Sequence, residues 1–309
     1  MNALNVEAPD SDYEIKLWLD PSDKTAYYYA EPEKVYLNED SSKMFFTGTF
    51  LPGSHKDIKD LDLSNFDTSK VMTMNEMFAN MYNLTSLNLS NFDTSKVTDM
   101  YGMFYNMYNL TSLNLSNFDT SKVTDMGAMF AGMLILTSLD LSNFDTSKVT
   151  DMYGMFAYMH RLTSLNLSNF DTSNVTGMRG MFDGMSSLTS LNLSNFDTSK
   201  VTDMGGMFSD MSNLTSLDLS NFNTSNVTDM SDMFKLRDGY ASGDQLGTIY
   251  VKNDFDTTKL TNDSNMFLNR KKLRGGNGSY LVDPSTADKS WLRIDDPTHG
   301  RPGYFTRKP

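Results

Sequence analysis

The chain has 309 residues and no cysteine, and its 26 Lys and Arg against 39 Asp and Glu give a formal net charge of −13. This negative charge repels the phosphates of nucleic acid and anionic lipid headgroups, so neither is expected as a partner. The absence of cysteine excludes disulfides, thiolate metal ligands and a cysteine nucleophile. No apolar run reaches the roughly 18 to 20 residues that span a bilayer, so insertion into a membrane is not expected.

Residues 1–60 are predicted to form an N-terminal cap that ends in a degenerate first repeat. Apolar residues alternate from Ile15 to Leu19, and the cluster Tyr27 to Tyr29 follows, a pattern typical of one or two strands. Val35 to Leu37, followed by Met44 and Phe45, is a weak copy of the repeat that comes next. Terminal repeats of a solenoid differ from the inner ones because one of their faces has no neighbour.

Residues 61–236 contain seven copies of a 26-residue repeat, each starting with a Leu-x-Leu motif. The copies begin at Leu61, Leu87, Leu113, Leu139, Leu165, Leu191 and Leu217. The alternation of Leu113 and Leu115 predicts a strand with both leucines on one face. Asn117 recurs in every copy, and we expect these asparagines to form a ladder that completes backbone hydrogen bonds between neighbouring repeats.

Methionine and phenylalanine then recur at positions i, i+3, i+4 and i+7 between Met126 and Met133, which predicts one face of a short helix. Thr124 or Asp125 is placed to cap that helix. A single repeat cannot bury its apolar side alone, whereas stacked repeats share one core and pair their strands. The sequence therefore predicts a repeat solenoid of the leucine-rich-repeat type, β-rich with short helices. We expect a curved stack of about eight or nine rungs, with a parallel sheet on one face and short helical turns on the other.

Residues 237–309 are predicted to form a degenerate last rung and a C-terminal cap. Leu246 to Leu260 and the pair Met266 and Phe267 repeat the apolar pattern in weaker form. Arg270 stands three positions after Phe267, where six inner repeats carry methionine, and it would place a charge where the core ends. We interpret this charge as part of the cap, with a ligand site as the alternative. The six methionines are Met81, Met107, Met133, Met159, Met185 and Met211.

The run from Leu110 to Met126, Leu-Thr-Ser-Leu-Asn-Leu-Ser-Asn-Phe-Asp-Thr-Ser-Lys-Val-Thr-Asp-Met, is followed in several copies by Gly-Met-Phe and resembles the BspA-like leucine-rich-repeat bacterial surface proteins. The resemblance extends from about Val35 to the C-terminus. It implies a secreted or wall-anchored adhesin of a Gram-positive bacterium or mycoplasma that contacts a host extracellular-matrix protein, a mucin or an epithelial glycan. It brings no catalytic residues and no cofactor. It also implies an extracellular, cell-surface location, with signal and anchor segments trimmed from this chain.

Positions at which the repeats differ carry more information about function than positions that stay constant. These positions lie on the solvent side of the predicted helix and in the bend after it, and stacking would gather them into an aromatic and apolar stripe. Exposed tyrosine and arginine are enriched in binding hot spots because they bury a large area and keep a polar tip. The alternative is that isolated tyrosines merely cover the core. The predicted ligand-binding residues are Tyr82, Tyr101, Tyr105, Tyr108, Leu134, Ile135, Tyr153, Tyr158, His160, Arg161 and Arg179.

One aspartate per repeat is expected to stack at about the spacing of strands, close enough to recruit a cation such as calcium. Each of these aspartates is followed by Thr-Ser, and most have a lysine three positions later. An Asx-type turn is therefore the favoured interpretation, and no metal site is predicted. The column consists of Asp67, Asp93, Asp119, Asp145, Asp171 and Asp197.

The favoured function is that of an adhesin without catalysis, and other functions lead to different expectations. A structural spacer or stalk would project other domains from the cell wall and bind nothing itself. Stacked hydroxyls, such as those of Thr94, Thr120 and Thr146, would suit ice or a polysaccharide. An enzyme is not expected, because the three histidines lie far apart in the sequence. Self-association at low pH is a further expectation, since the net charge falls toward zero near the calculated isoelectric point of 4.6.

Overall fold

The computed structural model describes residues 4–5, 15–20, 25–30, 34–46 and 58–309 of the chain. Near the N-terminus an antiparallel sheet has the order β1 (Leu4–Asn5), β2 (Ile15–Asp20) and β3 (Thr25–Ala30). Ile15 pairs with Ala30 and Asp20 with Thr25, so β2 and β3 align along their whole length. The N-terminal region therefore contains three strands, where the sequence indicated one or two.

The body of the molecule is a repeat solenoid in which each rung forms a parallel β-bridge with the next. The bridging residue is the aspartate that precedes the methionine-phenylalanine segment, or its equivalent in an atypical rung. The bridges of this ladder join nine successive positions within the described ranges, in agreement with the predicted stack of repeats. The ladder runs through Asp40, Thr73, Asp99, Asp125, Asp151, Gly177, Asp203, Asp229 and Asn262.

The Leu-x-Leu segments of the inner rungs do not form the continuous parallel sheet that the sequence predicted. The second leucine is flanked by polar residues that form local turns, as where Asn114 Oδ1 accepts from the backbone N of Ser116 at 3.1 Å. The inner leucines pack on the core without a backbone ladder. Short parallel sheets lie instead at the two ends of the stack. They are β4 (Val35–Tyr36) with β5 (Phe66–Asp67), and β6 (Ser216–Asp218) with β7 (Thr248–Val251) and β8 (Phe305–Arg307).

The methionine-phenylalanine segment forms consecutive tight turns, and no α-helix occurs in the described part of the chain. Met129 N donates to Met126 O at 3.3 Å, a three-residue step. Ala128 between them lies in the left-handed region at φ 51°, a conformation that cannot continue a right-handed helix. Phe130 N donates to Met155 O of the next rung at 3.0 Å. The predicted short helix is therefore wrong, because the backbone donors that it would need bond to the next rung.

Apolar side chains of the turns and of the Leu-x-Leu segments meet in one continuous core. Met126, Met129 and Met133 are fully buried, as their spacing predicted, although they lie on turns. One phenylalanine per rung stacks on the next, with ring centroids 5.1 to 6.0 Å apart and interplanar angles of 2° to 12°. This column consists of Phe45, Phe78, Phe104, Phe130, Phe156, Phe182, Phe208, Phe234 and Phe267.

A ladder of asparagine side chains joins the rungs, which confirms the prediction made for Asn117. Its Nδ2 donates to two carbonyl oxygens of the preceding rung, Leu89 O at 2.9 Å and Phe92 O at 2.8 Å. These bonds satisfy acceptors that the absent sheet leaves open. The same pair of bonds recurs at Asn91, Asn143, Asn169, Asn195 and Asn221.

Tyr304 and Arg270 close the C-terminal end of the core. The buried ring of Tyr304 lies 4.7 Å from that of Phe267, the last member of the phenylalanine column. Arg270 is also buried and donates to backbone carbonyls of inner rungs, which supports its interpretation as part of the cap. The helices of the described residues are short 3₁₀ helices near this end: Ala241–Gly243, Pro284–Thr286, Lys289–Trp291 and Pro297–His299. None of them is long and apolar enough to cross a membrane.

Candidate binding groove

A groove of about 290 Å³ lies on the turn side of the solenoid and crosses several rungs. Tyrosines line one half of it, charged side chains line the other half, and small residues form its floor. We call this feature the turn-side groove. It brings together five of the residues that the sequence predicted to bind a ligand: Tyr101, Tyr105, Tyr153, Tyr158 and Arg179.

Asx turns set the register of the groove side chains. Asp99 Oδ1 accepts from the backbone N of Tyr101 at 2.8 Å. Asp125, which the sequence predicted as a helix cap, makes the same bond to the N of Gly127 at 2.8 Å and so caps a turn. These aspartates also form the bridge ladder. The side chain two positions after each aspartate therefore projects from the same point of every rung.

The aromatic half of the groove is built on an alanine floor. Tyr101 and Tyr158 pack against three buried alanines, whereas Tyr105 and Tyr153 remain 36% and 47% exposed. A Cβ atom at Gly127 would lie 2.9 Å from Tyr101 Cδ2, so glycine at this position leaves room for the Tyr101 ring. Tyr101 and Tyr158 thus rest on an apolar base, and Tyr105 and Tyr153 remain open to solvent in the same groove. The alanines are Ala128, Ala131 and Ala157.

Arg237 connects the two halves of the groove. Its Nη2 donates to Asp183 Oδ2 at 2.8 Å and to Tyr158 Oη at 3.0 Å. Its Nε lies 3.0 Å from Asp210 Oδ2, and the Asp210 side chain is fully buried. The guanidinium also lies 5.4 Å from the centroid of the Tyr158 ring, within the range of a cation–π contact. One arginine therefore joins a tyrosine to the carboxylates of two other rungs.

The other cations of the groove are also paired with carboxylates. Arg179 Nη1 lies 3.5 Å from Asp203 Oδ1 and 3.4 Å from Asp229 Oδ2. Lys235 Nζ lies 3.2 Å from Asp232 Oδ2. Among the groove residues that the structure describes, each cation thus has a carboxylate partner.

Two carboxylate oxygens of groove residues, Asp183 Oδ1 and Asp232 Oδ1, are buried and have no hydrogen-bond partner among the described residues. Burial raises the pKa of Asp183 above its ordinary value, and the hydrogen bond from Tyr158 and the charge of Arg237 offset part of that effect. Burial, followed by the charge of Asp183, also raises the pKa of Tyr158. A buried acceptor without a donor is costly. A ligand in the groove would instead meet the exposed part of the Asp232 side chain, which is 35% exposed.

The remaining predicted residues lie outside the groove, on the bend that follows the turns. The rings of Tyr82 and Tyr108 stack with centroids 4.8 Å apart. His160 Nδ1 lies 2.7 Å from Gly184 O, so the histidine is held against the next rung. The predicted stripe is thus divided between the groove and a separate bend surface. The bend surface consists of Tyr82, Tyr108, Leu134, Ile135, His160 and Arg161.

Sequence reasoning missed the charged half of the groove. Asp183 and Lys235 share a column with Tyr105, and Asp232 shares a column with the floor alanine at position 128. Both columns vary among the repeats, so the rule that selected the tyrosines would have selected these residues as well. Arg237 stands 26 positions after Met211, where the methionine column ends. This change from methionine to arginine could have identified Arg237 from the sequence.

The aspartate column considered as a calcium site forms Asx turns. Asp119 Oδ1 accepts from the backbone N of Ser121 at 3.0 Å. Hydrogen bonds from the hydroxyl and the N–H of Ser121 lower the pKa of Asp119. In the described ranges no group of three or more His, Asp or Glu residues could hold a metal ion. The same turn recurs at Asp67, Asp93, Asp145, Asp171 and Asp197.

The threonine column does not present the hydroxyl array that was considered for ice or polysaccharide. Thr94, Thr120 and Thr146 are buried. Thr120 Oγ1 donates to Asp145 O at 2.9 Å and accepts from Asp145 N at 2.8 Å. The hydroxyls complete bonds between rungs, so these threonines cannot form a solvent-facing array.

A family model described as "Mycoplasma protein of unknown function, DUF285" matches residues 40–164 and, a second time, residues 159–274. The two matches follow each other along the stacked rungs and together cover more than half of the chain. The chain belongs to the DUF285 family. The turn-side groove, which is lined by residues between Tyr101 and Arg237, lies entirely within the part that matches DUF285. No curated protein and no solved structure matches the chain.

Proposed function

We propose that the chain is the non-catalytic binding module of a bacterial cell-surface adhesin, which holds a host protein or a surface glycan in the turn-side groove. The observation that carries this proposal is the groove itself, in which Tyr105 and Tyr153 are 36% and 47% exposed above a buried floor. Rigid aromatic side chains with a polar tip contribute much of the affinity in binding sites. The carboxylates of Asp183 and Asp210 pair with Arg237 and hold the charged half of the groove in place.

The resemblance to BspA-like leucine-rich-repeat surface proteins supports the cellular setting of this proposal. It leads us to place the protein outside the cell, secreted or attached to the wall of a Gram-positive bacterium or mycoplasma. Its partner would be an extracellular-matrix protein, a mucin or an epithelial glycan. Antibody labelling of intact cells tests the location. Labelling that requires lysis of the cells would contradict it.

Binding of the purified chain to an array of matrix proteins, mucins and glycans tests the function. The matched variant carries Tyr105→Ala and Tyr153→Gly, the residues that the neighbouring repeat has as Ala131 and Gly127. The control is Tyr280→Ala, which removes a tyrosine that is 53% exposed but lies outside the groove. We expect saturable binding that the double variant loses and the control keeps.

A structural spacer is the second candidate, and the uninterrupted ladder of nine rungs favours it. A stack of this kind has the regularity that a stalk needs to project another domain. A spacer binds none of the ligands on the array, with or without the tyrosines. Absence of saturable binding across the whole array would therefore replace the adhesin proposal with the spacer.

A further inference from the structure

We propose that the turn-side groove binds a neutral glycan, a short uncharged segment whose sugar rings lie against the tyrosines. This inference rests on the proposed binding function of the same groove and adds the chemical class of its ligand. The charge of the groove, its hydrogen-bonding groups and the spacing of its tyrosines each support it.

The balance of charge in the groove disfavours an anionic ligand. Its cations, Arg179, Lys235 and Arg237, each lie within 3.5 Å of a carboxylate oxygen. Five carboxylates surround these three cations, and two of them, Asp183 and Asp232, line the groove itself, so every groove cation already has a carboxylate partner. A sialylated or sulfated sugar would have to displace a carboxylate from its cation. The carboxylates belong to Asp183, Asp203, Asp210, Asp229 and Asp232.

Both donors and acceptors line the groove, as sugar hydroxyls require. Of the groove carboxylates, the Asp232 side chain is 35% exposed and the Asp183 side chain 14% exposed. The N–H groups of Arg237 and Lys235 lie beside these carboxylates. A hydroxyl donates one hydrogen bond and accepts two, so it can engage both kinds of group. A lysine or arginine side chain of a protein ligand only donates, and it would lie next to like charges. The groove therefore fits a neutral glycan better than a basic peptide.

The tyrosines offer faces for sugar rings at a spacing that the scaffold sets. The backbone positions of Tyr101 and Tyr153 are two rungs apart in one column, about 10 Å at the spacing of paired strands, and the Tyr101 ring leans over Gly127 between them. This distance is comparable to the length of two linked pyranose rings. The C–H face of a sugar can stack on an aromatic ring while the hydroxyls at its edge bind polar groups. A volume of about 290 Å³ holds a short segment of a glycan rather than a long stretch of chain.

The test measures binding of the whole chain to a panel of neutral oligosaccharides, to their sialylated and sulfated forms, and to a lysine-rich peptide, first on an array and then by calorimetry. We expect a neutral member of the panel to bind, and its sialylated and sulfated forms to bind at least about tenfold more weakly. Asp232→Gly and Tyr153→Gly should each weaken the neutral ligand on the order of tenfold. Both variants copy residues found at the same positions in other repeats, Gly206 and Gly127, which favours retention of the fold. Tyr280→Ala should leave binding unchanged.

The outcomes separate this inference from the proposed function. Equal or stronger binding of an acidic glycan or of the lysine-rich peptide would overturn the inference of a neutral ligand. If Tyr153→Gly then abolishes the binding of that acidic glycan or peptide, the groove remains the binding site. Neutral binding that survives both Asp232→Gly and Tyr153→Gly would overturn the assignment to the groove. If no glycan binds, the neutral-glycan inference falls, and binding to matrix proteins or mucins decides whether the adhesin proposal falls with it.

Discussion

Arg270 and Asp244 form a buried ion pair at the end of the core, with Nη1 3.1 Å from Oδ1 and side-chain exposures of 0% and 5%. The guanidinium also donates to Met211 O at 3.3 Å and to Phe208 O at 3.2 Å, so it reaches two rungs back along the stack. Arg237, in the rung between them, has left the methionine column and lies in the groove. The Arg270 side chain therefore lies in the core, whereas the Arg237 side chain lies outside it.

Replacing Arg270 with methionine should destabilise the C-terminal end of the solenoid. Methionine is the residue of this column in the inner rungs, but the change leaves the Asp244 carboxylate buried without its cation. Loss of one partner from a buried pair costs about 3 to 5 kcal/mol. Urea unfolding followed by circular dichroism measures the loss. The double variant Arg270→Met with Asp244→Asn should recover much of it, and a double variant as unstable as the single one would contradict the role of the ion pair.

The burial of the core was predictable from the sequence because a fixed period of 26 residues stacks identical residues in register. The methionine and phenylalanine columns and the Asn117 ladder follow from that period alone. The element type was not predictable in the same way, because a spacing of i, i+3, i+4 and i+7 fits consecutive turns as well as a helix. A glycine two positions after the first turn methionine in four of the repeats, at Gly102, Gly154, Gly180 and Gly206, was the signal for turns.

The aromatic half of the groove was predictable because its tyrosines stand where the repeats differ. The charged half depends on contacts that no period predicts. Arg237 bonds to Tyr158 and Asp183, which are 79 and 54 residues away from it in the chain. Its side chain lies in the groove and not in the core, at the point where the regular repeat ends. The charged half of the groove therefore depends on Arg237, which stands at the transition between the repeats and the C-terminal cap.

The asparagine ladder should contribute measurably to stability. Asn143 Nδ2 donates to Leu115 O at 3.0 Å and to Phe118 O at 2.8 Å. Asn143→Ala leaves both carbonyls without this donor, and we expect a loss of about 1 to 2 kcal/mol in urea unfolding. Asn143→Asp, which keeps the size but removes the donor, should lose at least as much. Ser142→Ala at the exposed neighbouring position should stay within about 0.5 kcal/mol of the parent. An Asn143→Asp variant of parental stability would argue against the ladder.

Two glycines should respond differently to replacement by alanine. A Cβ atom at Gly303 in the C-terminal cap would lie 2.3 Å from Arg293 O, a backbone atom that cannot move aside alone. We expect Gly303→Ala to cost about 2 to 3 kcal/mol, as overpacking does. Gly154 has φ +57° but an added Cβ would meet only Ala157 Cβ, at 3.8 Å. Gly154→Ala should therefore cost about 1 kcal/mol, from the left-handed backbone alone. Equal losses in thermal unfolding would contradict the close approach at Gly303.

The aspartate column should make stability depend on pH in the acid range. Hydrogen bonds from Ser121 hold the pKa of Asp119 below 3.8 in the folded chain. A lowered folded pKa contributes stability above the unfolded value, and this contribution is lost as the pH falls through the folded pKa. Asp119→Asn keeps the turn, since Asn223 Oδ1 accepts from Ser225 N at 3.0 Å at the equivalent position. We expect this variant to match the parent within about 0.5 kcal/mol at pH 7 and to lose less stability than the parent below about pH 4. An NMR titration of the Asp119 carboxyl gives the direct measurement, and a midpoint at or above 3.8 would show that the turn does not stabilise the charged form.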